Sequence, residues 1–168
     1  MDRIYGLENG AEAYISKPFH PTHLIKQIEQ TLNNRRLLWD WYSSDKTNKK
    51  EENKIQLNSN DIEFLDKLYK FFEENISDEA IDIEALIAPF HLGRTRFFTK
   101  VKSLTGMSPY ELFKNYRITK AGKMLASGEY NVNEVFYLSG FKSRTHFQRL
   151  FKEKFGISPG KYIKSNKE

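Results

Sequence analysis

The strongest constraint on this chain is a repetition. Displaced by fifty residues, Arg94-Thr95-Arg96-Phe97-Phe98-Thr99-Lys100-Val101-Lys102 falls on Arg144-Thr145-His146-Phe147-Gln148-Arg149-Leu150-Phe151-Lys152, and Gly106-Met107-Ser108-Pro109 falls on Gly156-Ile157-Ser158-Pro159. Upstream, an offset of forty-nine puts Ile83, Leu86, Ile87 and Leu92 on Val132, Val135, Phe136 and Phe141, so the second copy carries one extra residue in its turn. One supersecondary unit therefore occurs twice. Each copy reads as a short apolar helix, a turn of about four residues and a second helix with a basic, hydroxylic outer side. That is a helix-turn-helix arrangement, and it predicts a mainly all-α fold.

Within each second helix the apolar pair, Phe97 and Val101 or Phe147 and Phe151, sits four residues apart and shares one face. The residues between are expected to face outward. In the first unit these are Arg94, Thr95, Arg96, Thr99, Lys100 and Lys102; in the second they are Arg144, Thr145, His146, Gln148, Arg149 and Lys152, with Ser143 just ahead. Arg can read a guanine edge with two hydrogen bonds, Gln an adenine, and Thr can touch a thymine methyl. Lys and Arg at the borders of such a face hold phosphates. A plain helical bundle with solvated faces explains each helix separately, but not why the repeated identities include surface residues such as Arg94 and Arg144.

Charge follows the repeat. Residues 1–79 hold 11 Lys and Arg against 15 Asp and Glu, whereas residues 80–168 hold 16 against 7, so the net +5 of the chain conceals −4 followed by +9. A basic module behind an acidic segment points to a polyanion, nucleic acid first.

The rest of the chain supplies the connections. Ser108 as cap, Pro109 at the first helical position and Glu111 three residues past the cap predict a helix to Ser127, stopped by Gly128. At ~1.5 Å per residue it is about 30 Å long, close to the ~34 Å between successive major-groove faces of B-DNA. Asn60 is expected to cap a helix burying Ile62, Leu65, Leu68, Tyr69 and Phe72, and Asp82 one that Pro89 shortens. Further helices are expected at 132–139, 144–155 and after Ser158-Pro159. Residues 43–58, SSDKTNKKEENKIQLN, lack apolar periodicity and read as a polar linker. Before them, residues 13–16 read as a short strand and His20 to about Tyr42 as a helix with Leu24, Ile25, Ile28, Leu32, Leu38 and Trp39. One strand and one helix cannot cover a sheet, so residues 1–42 read as part of a domain. The expected segments are thus 1–42, the linker 43–58, and 59–168, with the first helix-turn-helix at about 82–106, the linking helix at 108–127 and the second helix-turn-helix at about 132–156.

Glu134-Val135-Phe136-Tyr137-Leu138-Ser139-Gly140-Phe141, with the run from His146 to Tyr162 and Arg117-Ile118-Thr119-Lys120-Ala121 in the linking helix, resembles the AraC/XylS family of transcription regulators over about residues 60–166. The resemblance implies two helix-turn-helix units on a long helix, double-stranded DNA as partner across two adjacent major-groove turns, and the outward residues named above as base and phosphate contacts. Ile87 and Phe136 stand where that family usually has Ala, and His91 where it usually has Gly. The bulkier residues are expected to widen the angle between helices. Phe98 stands at an often polar position, so the first unit is expected to read fewer bases than the second.

Gly10-Ala11-Glu12-Ala13-Tyr14-Ile15-Ser16-Lys17-Pro18-Phe19 resembles the end of a response-regulator receiver domain. By that resemblance Lys17 is the phosphoryl-binding lysine, while the phosphoacceptor aspartate is absent from this sequence. The whole then looks like the output end of a response regulator or of a hybrid two-component sensor.

No enzyme is expected. His20 and His23 lack a third metal ligand, His91 stands alone, and there is no phosphate-cradling glycine loop and no HExxH. No cofactor, metal or small-molecule ligand is expected. Zero cysteines and the lack of any run of about 18 apolar residues fit a soluble cytoplasmic protein without a membrane partner. The alternative role is an interaction fragment, in which residues 14–42 form a homodimer through Leu24, Ile28, Leu32 and Trp39.

Overall fold

The computed structural model describes residues 20–43 and 59–166, and every regular element among them is helical. The strand expected at 13–16, Lys17 and nearly all of the 43–58 linker lie outside the described residues. The elements are α1 (Pro21–Ser43), α2 (Ser59–Glu74), α3 (Ile83–Ile87), a 3-10 turn (Ala88–Phe90), α4 (Arg94–Thr105), α5 (Pro109–Ser127), α6 (Val132–Leu138), α7 (Arg144–Phe155) and α8 (Pro159–Ser165).

Local chemistry explains most of the boundaries. The Asp82 carboxylate accepts the Ala85 N–H at 2.8 Å and opens α3; Pro89 then ends it in the 3-10 turn. Gly106 and Gly156 close α4 and α7 in left-handed conformations of nearly equal φ, 77° and 78°, each donating its N–H four residues back. Asn131 and Glu134 form a reciprocal capping box at the start of α6, with bonds of 2.8–3.0 Å. Two expectations change. The α2 helix already includes Ser59, so Asn60 lies inside its first turn. Ile62 is exposed, and Phe64 takes the inward place beside Leu65.

The helices form two compact units. One combines the described part of Met1–Asp66 with Ile87–Pro109. Its core is a triangle of rings, Phe64, Phe90 and Phe97, with centroids 5.0–5.9 Å apart. The C-terminal half of α1 buries Leu38, Trp41 and Tyr42, lies against α4, and donates the Tyr42 hydroxyl to Asp66 at 2.9 Å.

The other unit combines Lys67–Leu86 with Tyr110–Glu168. Tyr69 and Phe72 of α2 pack on Phe113 and Tyr116 of α5. Burial raises the Tyr69 hydroxyl well above the ordinary phenol range, with Tyr116 adding to the effect. Farther along α5, Ile118, Ala121 and Leu125 join Val135, Phe136, Phe141, Phe147 and Phe151 in one core. Gly122 lies directly beneath the Phe155 ring, with no room for a Cβ. Arg117 braces the segment after α2: it donates to the Asp78 and Asn75 carbonyls at 2.6 and 3.4 Å and lies 4.1 Å over the Phe113 ring. Desolvation lowers its guanidinium below the ordinary range, opposed by Asp78.

Candidate nucleic-acid interface

In the second unit α7 divides cleanly into two faces. Phe147 and Phe151 are fully buried, while Arg144, Thr145, Gln148, Arg149 and Lys152 are exposed. Ser143 is exposed as well, and its hydroxyl accepts the His146 N–H at 3.3 Å, capping the helix at the end where these side chains begin. His146 is half-buried, edge-on to Phe141 with centroids 6.2 Å apart. The Arg144 guanidinium rests 5.5 Å over the Phe136 ring. Phe136 is thus a platform that limits where Arg144 can point. Arg149 reaches Glu153 one turn on at 3.5 Å, an exposed i,i+4 pair worth only a few tenths of a kcal/mol. Such a pair leaves Arg149 available to another anion.

The first unit repeats this arrangement in part. Phe97 and Val101 are fully buried, and Arg94, Thr95, Arg96 and Lys102 are exposed, with Arg94 5.6 Å over the half-buried Phe98 ring. Thr99 and Lys100 do not join the outward face. Both are half-buried, and the Lys100 ammonium is engaged by Asp61 at 2.8 Å and by the Phe64 ring at 5.0 Å. A face assigned from helical spacing alone missed this, because it left α2 out of account. The turn before α4 holds its conformation without glycine: His91 has φ 52°, and Gly140, its counterpart at offset forty-nine, has φ 65°.

Sequence reading also missed the support behind the site. An N-x-x-E signal at Asn131–Glu134 could have announced that capping box, whereas the roles of Phe136 and Arg117 depend on tertiary neighbours. Among the described residues no helix is long and apolar enough to cross a membrane, and no three His, Asp or Glu side chains group as metal ligands.

Comparison with known proteins agrees with this geometry. The family model described as a helix-turn-helix domain matches residues 86–165. A protein named histidine kinase P4 from Formosa agariphila is 34% identical over 160 residues, covering 95% of this chain and 12% of that protein. The HTH-type transcriptional regulator MtrA from Neisseria gonorrhoeae is 32% identical over 83 residues (49% of this chain, 28% of that one). The HTH-type transcriptional activator RhaS from Salmonella schwarzengrund is 31% identical over 95 residues (56% and 34%). The chain thus spans between about an eighth and a third of the length of these curated relatives. Among solved structures, the C-terminal domain of AraT, a response regulator from Geobacillus stearothermophilus, shares the fold at a TM-score of 0.56 and 20% identity, over 66% of this chain and 88% of that one.

Proposed function

Residues 86–165 are an AraC-type helix-turn-helix domain, and from that premise we propose that the chain is the sequence-specific double-stranded DNA-binding output module of a two-component transcription regulator. The helices α4 and α7 enter two adjacent major-groove turns. Arg94, Thr95 and Arg96 in one and Arg144, Thr145, Gln148 and Arg149 in the other meet base edges, with Lys102, Lys152 and Ser143 at phosphates. His146 donates from the border of the α7 face. Lys100 instead fastens α4 to α2 through Asp61, and Thr99 lies half-buried beside it, so neither contacts DNA. The module is non-catalytic and acts in the cytoplasm, with residues 1–42 as the C-terminal part of a receiver domain and 59–168 as the DNA-binding region.

The observation that carries this reading is the duplicated division of faces: paired apolar residues fully buried on α4 and α7, Arg and Thr exposed at the start of both, and the same left-handed glycine after each. The test is selection of binding sites from a random duplex library, followed by titration of Arg144→Ala and Arg149→Ala on the selected site. Each is expected to weaken binding by ~1–3 kcal/mol and relax one base preference. Unchanged affinity and preference in both would remove α7 as the reading helix.

A second role has its own observation. On α1, Ile25, Ile28 and Leu32 are 54%, 50% and 57% exposed along one face, whereas Leu24 and Trp39 are half-buried. A second copy of the chain covers this stripe in a homodimer. Sedimentation of the full chain against Ile28→Glu tests it: equal monomeric mass for both would end the idea.

A further inference from the structure

The C-terminal end of α4 is completed from outside the helix-turn-helix domain. Its left-handed Gly106 ending uses one carbonyl, Lys102, at 2.8 Å. The next N–H, on Met107, turns to the Thr105 hydroxyl at 3.2 Å. The Ser103 carbonyl instead receives two donors from α1, Arg35 Nε at 3.3 Å and Nη2 at 3.1 Å. The remainder of that side chain lies along Gly106, where an added Cβ would meet Arg35 Cδ and Nη1 at 3.4 Å. A guanidinium here also faces the negative end of the α4 dipole.

Arg35 is itself held. It shares a helical face with Leu38 and Tyr42, both buried, and Tyr42 is tied to Asp66. On the flank of α4, Asp61 of α2 grips Lys100. Two upstream helices, neither within the residues matched by the family, thus fix the helix that carries Arg94, Thr95 and Arg96. The second copy of the unit has Phe155 where the first has Thr105, so the hydroxyl that diverts Met107 has no counterpart there.

We propose that Arg35 is a positioning residue for the first recognition helix: by completing the α4 C-terminus it sets the direction in which Arg94, Thr95 and Arg96 approach DNA. This rests on the DNA-binding reading above. It also makes α1 the route by which an upstream module adjusts base reading at one half of the site and not the other.

The experiment is site selection by the full chain, unaltered and as Arg35→Ala, with Arg94→Ala marking which half of the selected site α4 reads. For Arg35→Ala, sequence preference is expected to fall in the Arg94 half alone, with affinity for the selected site reduced about five- to tenfold, the net effect of about one hydrogen bond. Arg35→Lys, which keeps the charge, is expected to restore part of the preference. Circular dichroism monitors folding, and Arg35→Gln replaces Arg35→Ala if the latter fails to fold. Preference retained in the Arg94 half, or lost equally in both halves, overturns the positioning role. Enrichment of no sequence by the unaltered chain overturns the DNA reading itself, and this inference with it.

Discussion

The two turns of the repeat offer a matched pair of substitutions with opposite expected signs. His91 and Gly140 occupy equivalent positions, both left-handed, at φ 52° and 65°. At 91 the side chain is exposed, so His91→Gly removes little packing. It relieves about 1–2 kcal/mol of left-handed strain and adds about 0.5–1 kcal/mol of unfolded-state entropy, for a net gain of about 0.5–1 kcal/mol. At 140 an added Cβ would strike the Ile76 carbonyl oxygen and come within 2.9 Å of the Arg117 guanidinium. The first of these is backbone and the second is engaged with Asp78, so neither yields easily. Gly140→Ala therefore combines the left-handed strain with overpacking and is expected to destabilise by about 2–4 kcal/mol. Urea titration reads the two separately. Both tryptophans of the chain, Trp39 and Trp41, lie on α1 in the same compact unit as His91, so their fluorescence follows that unit. Amide exchange at α6 and α7 follows the other. A lowered fluorescence midpoint for His91→Gly, or an unchanged α6–α7 transition for Gly140→Ala, would refute the claim that both turns demand the same backbone conformation.

Further outcomes follow from the interface and core. Lys102→Ala and Lys152→Ala should each weaken binding to all duplex sequences and lower the slope of log affinity against log salt by about one, measured by fluorescence anisotropy across a salt series. Lys100→Ala should leave DNA affinity within about twofold, because its ammonium faces Asp61 and not the outer face, while lowering the unfolding free energy of its unit, read by urea titration, by about 1 kcal/mol; a large affinity loss without destabilisation would contradict that assignment. Phe151→Ala should open a cavity in the second core and destabilise it by about 3–5 kcal/mol, read by thermal unfolding.

Periodicity and punctuation made most helices legible. The spans of α4 and α7 follow from apolar spacing bounded by Gly106 and Gly156, α5 from Ser108-Pro109, and the shortening of α3 from Pro89. These signals are local, and so are the forces behind them. What stayed hidden depends on partners far along the chain. Nothing near Lys100 announces Asp61, thirty-nine residues earlier, and nothing near Ser103 announces Arg35. Spacing likewise could not say that Phe64 and not Ile62 would turn inward, because α2 packs on different neighbours along its length. In the interface, residue type and face identified Arg144, Thr145, Gln148 and Arg149, but the aromatic rest beneath Arg144 required knowing where Phe136 ends up.

The close approach of Gly122 to Phe155 restricts the order in which this sequence can change. Phe155 cannot retreat freely, since Phe151 and Tyr162 hold its ring with centroids 4.4 and 5.0 Å away. Alanine at 122 is therefore blocked while the large ring remains. If Phe155 is first replaced by a smaller side chain, the same alanine fills vacated space. The two positions form a one-way gate in sequence space: drift must pass through 155 before 122, and the reverse order crosses a destabilised intermediate.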